Sequence, residues 1–211
     1  MQTLAVLSLR CPKCGGSLRG AEQDVVFWCP NCAVPCEVVG RGFVARRGAV
    51  AAAEPGATLL YLPIWAVGVR WKIRLADESR GRLLRGLPPI QWVYVTGFNL
   101  TNASYFGDPG LLYTQRGVRL EAAEASGRRV AGCVRGVEDA LAYLEPHLLA
   151  IVDRRVDVTD ATLLLEVGEA VLWGVPFLDE GETLRDGVLG LSYPAAALMD
   201  LDAIRAAQGA P

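Results

Sequence analysis

The chain has 211 residues, of which 52% are apolar and 21% charged, and its mean hydropathy is +0.27. A chain of this length and composition buries a sizeable core and is too apolar to be disordered. The net charge of −2 is divided unevenly, with a balance of +6 over residues 1–100 and −8 over residues 101–211. A pI near 5.5 argues against a general binder of nucleic-acid phosphates.

Two CxxC pairs stand near the start of the chain. They comprise four cysteines, Cys11, Cys14, Cys29 and Cys32. Zn²⁺ prefers four thiolates in a tetrahedron, and each CxxC turn supplies two of them. Pro12 presets the first turn, and Gly15 permits the left-handed backbone that such a turn requires. The spacing predicts one structural Zn²⁺ site.

The segment around these cysteines resembles a zinc ribbon, as in bacterial zinc-ribbon-domain proteins, over residues 9 to about 40. Short strands are predicted at residues 17–19, 25–28 and 34–39. Ala33 stands where a ribbon normally has its second glycine. Rubredoxins resemble the same CPxC turns, with a longer insert between them, so an iron site is the alternative. Cys36 either replaces Cys32 as a ligand or is a small buried residue beneath the ribbon.

The sequence divides into three parts. Residues 1–40 are the predicted ribbon. Residues 41–58 are a predicted linker, because the segment is rich in residues with small side chains and contains a Glu-Pro-Gly break near its end. Residues 59–211 are predicted to form a β-rich domain with a few helices. The predicted fold class is therefore mainly β (α+β), with an N-terminal zinc ribbon.

Strands dominate the predicted elements of the third part. Apolar residues alternate with small and basic ones from Trp65 to Leu75, and Ile90–Thr96 is apolar on both faces. Further short strands are predicted at residues 111–113, 117–120, 153–158, 161–167 and 170–177. Helices are predicted near residues 134–151 and 194–207, the second being C-terminal. The Leu62-Pro63-Ile64-Trp65 sequence resembles the LPxW strand that follows the ribbon in some bacterial zinc-ribbon proteins of unknown role.

Motifs of common catalytic sites are missing from the sequence. The single histidine, His147, lies on a leucine-rich helical face, and Cys133 has no recognisable partner base, so both are predicted to be packed residues. A closed four-thiolate site leaves no coordination position for a substrate or water. We therefore expect a protein that is not an enzyme.

Basic residues in and after the strand at 65–75 form the candidate binding surface. They are Arg70, Lys72, Arg74, Arg80, Arg82 and Arg85. Trp65 and Trp71 alternate with the strand's cations and therefore point to its other face. A platform for stacking nucleic-acid bases would instead place aromatic rings and cations together.

These patterns favour a non-catalytic zinc-binding interaction or scaffold protein, an accessory subunit of a larger protein assembly. A nucleic-acid-binding zinc-ribbon protein and a rubredoxin-like iron electron-transfer module are the alternatives, and no small-molecule substrate is inferred. No secretory signal and no membrane-spanning pattern precede or follow the metal motif. We expect a cytoplasmic protein, with peripheral attachment to a membrane complex left open.

Overall fold

The computed structural model describes residues 8–53, 58–87, 89–103, 107–124 and 128–209. The strands are β1 (Val26–Trp28), β2 (Pro35–Val39), β3 (Gly42–Ala45), β4 (Gly48–Ala51), β5 (Leu59–Arg74), β6 (Trp92–Thr96), β7 (Ala122–Ala123), β8 (Thr162–Asp179), β9 (Thr183–Asp186) and β10 (Ser192–Pro194). The α-helices are α1 (Pro109–Arg116), α2 (Val137–Ala142), α3 (Leu144–Asp153) and α4 (Leu201–Gln208). The predicted β-rich fold with a C-terminal helix is confirmed.

The first sheet is small and antiparallel, in the order β1-β2-β3. Phe27 of β1 pairs with Cys36 of β2, which pairs in turn with Ala45 of β3. The strands predicted at residues 25–28 and 34–39 are therefore confirmed. At residues 17–19 the structure has only an isolated bridge between Ser17 and Arg10.

The second sheet is built on two long antiparallel strands, β5 and β8. On the far side of β5 lies β6, whereas β4 and β9 lie along the far side of β8. The outer strands β7 and β10 pair with β4 and β9. Strand β4 runs parallel to β8, and the other pairings are antiparallel.

The central part of the second sheet is buried on both faces. Successive side chains of β5 point to opposite faces and enter two different cores there. Trp65 and Val67 enter a core that also contains Leu144 and Leu148 of α3. Ile64 and its even-numbered neighbours enter the other core, with residues of α1 and the C-terminal region. This explains why the predicted strand at 90–96, observed as β6, is apolar on both faces.

Beyond the bulge at residues 67–69, the two long strands continue as a two-stranded extension that we call the arm. It consists of residues 69–74 of β5 and 162–167 of β8. Trp71 and Leu165 on one face are half-buried against the core, and the opposite face is exposed. The predicted alternation of inward tryptophan and outward cations is therefore observed.

Several local expectations are wrong. Residues 111–113 belong to α1 rather than to a strand, because the Asp108 carboxylate accepts the Leu111 N–H at 2.9 Å and Gly117 ends the helix with a left-handed backbone (φ 60°). No strand forms at residues 117–120 or 153–158 of the described chain, and the second of these segments begins at the last residue of α3. By contrast, the strands predicted at 161–167 and 170–177 are confirmed, as two parts of one continuous strand, β8.

The predicted helices occur with shifted bounds. The region near 134–151 contains two helices, α2 and α3, separated at Tyr143. The region 194–207 begins with a 3₁₀ turn at Ala195–Ala197, and the α-helix begins only at Leu201.

The predicted linker, residues 41–58, contains β3 and β4; its residues 54–57 lie outside the described ranges. Small side chains fit between larger neighbours here. A Cβ at Gly48 would collide with Pro35 and Trp28, and Val50 is only 1% exposed. The segment is thus built into both sheets.

Candidate metal centre

The two CxxC turns have nearly the same backbone conformation. In the first, the Gly15 N–H donates to Cys11 O at 2.9 Å. In the second, the Ala33 N–H donates to Cys29 O, also at 2.9 Å. Gly15 and Ala33 both have positive φ, 72° and 54° respectively. Ala33 therefore occupies the position of the missing glycine, in a conformation that costs a residue with a Cβ about 1–2 kcal/mol.

The turns bring the four predicted ligands together. The sulfur atoms of Cys11, Cys14, Cys29 and Cys32 all lie within 4.8 Å of one another. The Cys11 and Cys32 sulfurs are 3.6 Å apart, and those of Cys14 and Cys29 are 3.4 Å apart. A tetrahedral ion with bonds of about 2.3 Å to sulfur requires about 3.8 Å between its ligands. The cluster can hold such an ion with little movement.

The thiols differ in their readiness to ionise. Burial raises the pKa of Cys11, but hydrogen bonds from the backbone N–H groups of Cys14 and Lys13 and from neighbouring thiols lower it to about 6. Burial and the neighbouring thiols raise the pKa of Cys32 to about 12. A metal ion would bind these groups as thiolates, so its binding releases protons.

A fifth cysteine lies beside the cluster. Cys36 is completely buried, and its sulfur is 3.7 Å from the Cys11 sulfur. Burial raises the pKa of the Cys36 thiol to about 12. The sequence leaves two roles for Cys36, a substitute for Cys32 or a small buried residue beneath the ribbon. The structure buries it and places it in direct contact with Cys11.

The ribbon is joined to the rest of the molecule by backbone pairing. The Cys133 N–H donates to Val26 O at 2.8 Å, and the Val26 N–H donates back to Cys133 O at 3.0 Å. Val26 and Trp28 lie in the same core as Trp65. The metal-binding segment therefore shares its packing with the large sheet.

Glu37 adds a side-chain connection that the sequence did not reveal. Its Oε1 accepts the Val137 N–H at 2.9 Å, and its Oε2 forms an ion pair of 2.5 Å with Arg46. The residue is only 5% exposed. A charged residue between Cys36 and Val38 is the one sign in the sequence that Glu37 has a buried partner. Nothing in the sequence indicates that this partner is Val137, one hundred residues away.

The predicted basic surface is only partly one surface. Arg70, Lys72 and Arg74 project from the exposed face of the arm, and Arg70 is 3.4 Å from Glu166. Arg80 instead pairs with Asp157 and Asp160. Arg82 and Arg85 lie exposed on and just after the 3₁₀ helix Glu78–Leu84.

His147 and Cys133, which the sequence predicts to be packed residues, are packed in the structure. The Nδ1 of His147 lies 3.1 Å from Tyr94 O, and burial lowers the pKa of His147. Cys133 is 0% exposed and donates to Arg135 O at 3.0 Å, and burial raises the pKa of its thiol to about 12. Cys133 is thus held in an unreactive, neutral form.

Comparisons with protein-family models, curated proteins and solved structures find no match for the chain. The tetracysteine cluster is consistent with a zinc ribbon on its geometry alone. Within the described residues, every helix is too short or too polar to cross a membrane.

Proposed function

We propose that this protein is a non-catalytic, zinc-binding interaction protein, an accessory subunit that docks on a protein partner through its arm. Zinc is favoured because four thiolates at tetrahedral spacing satisfy its preferred coordination. Such a site is closed, so its contribution is folding energy for the ribbon and not activation of a substrate.

The composition of the exposed arm face supports docking at the arm. Leu164 is 43% exposed and lies directly opposite Lys72 on the neighbouring strand. Among the ion pairs of the described residues, none includes Lys72 or Arg74. An apolar side chain opposite Lys72, which forms no ion pair within the described part of the chain, complements an acidic partner surface with an apolar centre.

Native purification from the source cell tests this proposal. We expect a stoichiometric protein partner that survives nuclease treatment. Reversing two arm charges, in Lys72→Glu/Arg74→Glu, should abolish its recovery. The control Arg116→Glu/Arg119→Glu changes the charge equally at exposed sites outside the arm and should leave recovery unchanged. Equal recovery with both variants contradicts docking through the arm.

Nucleic-acid binding is the second candidate, favoured by the ribbon surface. Its exposed cations Arg10, Lys13, Arg19 and Arg41 take part in none of the ion pairs within the described part of the chain. Recovery of nucleic acid that is released steeply by salt would favour this function over a protein partner.

A rubredoxin-like iron module is the third candidate, since iron accepts the same four thiolates. Iron would make the purified protein coloured and redox-active, whereas zinc would leave it colourless. Elemental analysis of protein purified without added metal separates the two.

A further inference from the structure

The Cys36 sulfur lies next to the four-cysteine cluster, at the distance from the Cys11 sulfur that a second ligand would have. Its distance of 3.7 Å from the Cys11 sulfur matches the separation of about 3.8 Å between two thiolates on one tetrahedral zinc ion. The same thiol lies 3.4 Å from Val34 O, and this contact holds it beside the second CxxC turn. The separation of these two sulfurs is therefore compatible with both bonding to one ion.

The predicted ligands differ sharply in exposure. Cys14 is exposed, whereas Cys11 and Cys29 are 2% and 1% exposed. An electrophile or a competing metal-binding molecule in solvent therefore reaches Cys14 first. Cys36, which is fully buried, lies out of reach of the same reagent.

We propose that Cys36 is a reserve ligand, which replaces Cys14 when the Cys14 sulfur is blocked. The proposal rests on the zinc site proposed above. In the exchange the bond between the metal and the Cys14 sulfur breaks. Cys36 loses its proton to the buffer, and its thiolate forms the replacement bond, so no oxidant or reductant is needed. The ribbon then keeps four thiolate ligands after the exposed Cys14 has been modified.

Cobalt substitution tests the exchange, because the intensity of thiolate-to-Co²⁺ charge transfer follows the number of bound thiolates. We expect Cys14→Ser to keep the wild-type intensity. The double variant Cys14→Ser/Cys36→Ser should lose about a quarter of it, as one thiolate of four is missing. Cys14→Ser/Cys133→Ser removes a buried thiol outside the ribbon and should match Cys14→Ser. An intensity already reduced in Cys14→Ser and unchanged by Cys36→Ser overturns the proposal.

A second measurement needs no amino-acid substitution at Cys14. Iodoacetamide alkylates this exposed thiol in the zinc-loaded protein, and native mass spectrometry then counts the bound metal. We expect the alkylated wild-type chain to retain its ion and alkylated Cys36→Ser to lose it. Equal loss from both chains contradicts a reserve ligand. A wild-type chain that binds no tetrahedral metal before treatment contradicts the zinc site itself.

Discussion

The Oε1 atom of Glu37 accepts the backbone N–H of Val137 across one hundred residues of sequence, at 2.9 Å. Glu37 belongs to the ribbon strand β2, and Val137 is the first residue of α2. The adjacent pairing of Val26 with Cys133 joins the same two regions through the backbone. The metal-binding segment therefore helps to hold a helix that covers the central sheet.

Glu37→Gln should lower the free energy of unfolding by about 1–3 kcal/mol, because it removes the charge of a buried carboxylate that pairs with Arg46. Chemical denaturation of the metal-loaded protein measures the change. Glu138→Gln, at an exposed position in the first turn of the same helix, is the matched control and should change stability little. Equal effects of the two substitutions would show that the charge of Glu37 adds no stability through its ion pair with Arg46.

Removing the metal should destabilise the central sheet as well as the ribbon. Val26 and Trp28 pack in one core with Trp65, so unfolding of the ribbon exposes that core. Hydrogen exchange with and without a chelator measures this coupling. We expect faster exchange in peptides that cover Ile64–Val67. Unchanged protection of β5 after chelation would mean that the large sheet folds independently of the ribbon.

The two CxxC turns provide a matched pair of backbone substitutions. Ala33→Gly should stabilise the protein by up to about 1 kcal/mol, because glycine adopts the positive φ of this position without strain. Gly15→Ala should destabilise the protein by about 1–2 kcal/mol, because alanine is strained at the positive φ of this position. A Cβ at Gly15 would meet no described atom within 4 Å, so steric clashes do not add to this effect. Thermal unfolding of the metal-loaded protein measures both. Effects of the same sign would contradict the strain at Ala33.

How much the sequence can predict depends on whether the signal is local. The spacing of Cys11 and Cys14 places two sulfurs on one turn, and the alternation around Trp65 places its side chain in a core, so both features are predictable. The Asp108 cap of α1 is also local, but the run Leu111–Tyr113 is equally compatible with a strand. The contact between Glu37 and Val137 exists only in three dimensions, and a single sequence carries no sign of it.

The buried Asp186 should make stability depend on pH. Burial raises its pKa above the ordinary value of 3.8, although Tyr113 and Val188 donate to its Oδ1. A carboxyl with a raised folded pKa stabilises the protein while protonated, and this stabilisation is lost as pH rises through that pKa. Asp186→Asn keeps both acceptor contacts and has no proton to lose. We expect higher stability than wild type at pH 7 and a smaller decline above pH 3.8.

Asp157 offers a control of opposite sign. Hydrogen bonds from the side chain and backbone of Thr159 lower the pKa of this exposed carboxyl. Its contribution is present above the unfolded pKa and is lost as pH falls. Asp157→Asn should therefore flatten only the acid side of the stability profile. Identical profiles for the two variants would contradict the assignment of the pH dependence to Asp186.

The central claim is a closed four-thiolate zinc site, and X-ray absorption on protein purified without added metal tests it most directly. We expect one zinc ion per chain, bonded to four sulfur atoms at about 2.3 Å. Iron in place of zinc, or an oxygen or nitrogen atom among the ligands, would contradict the claim.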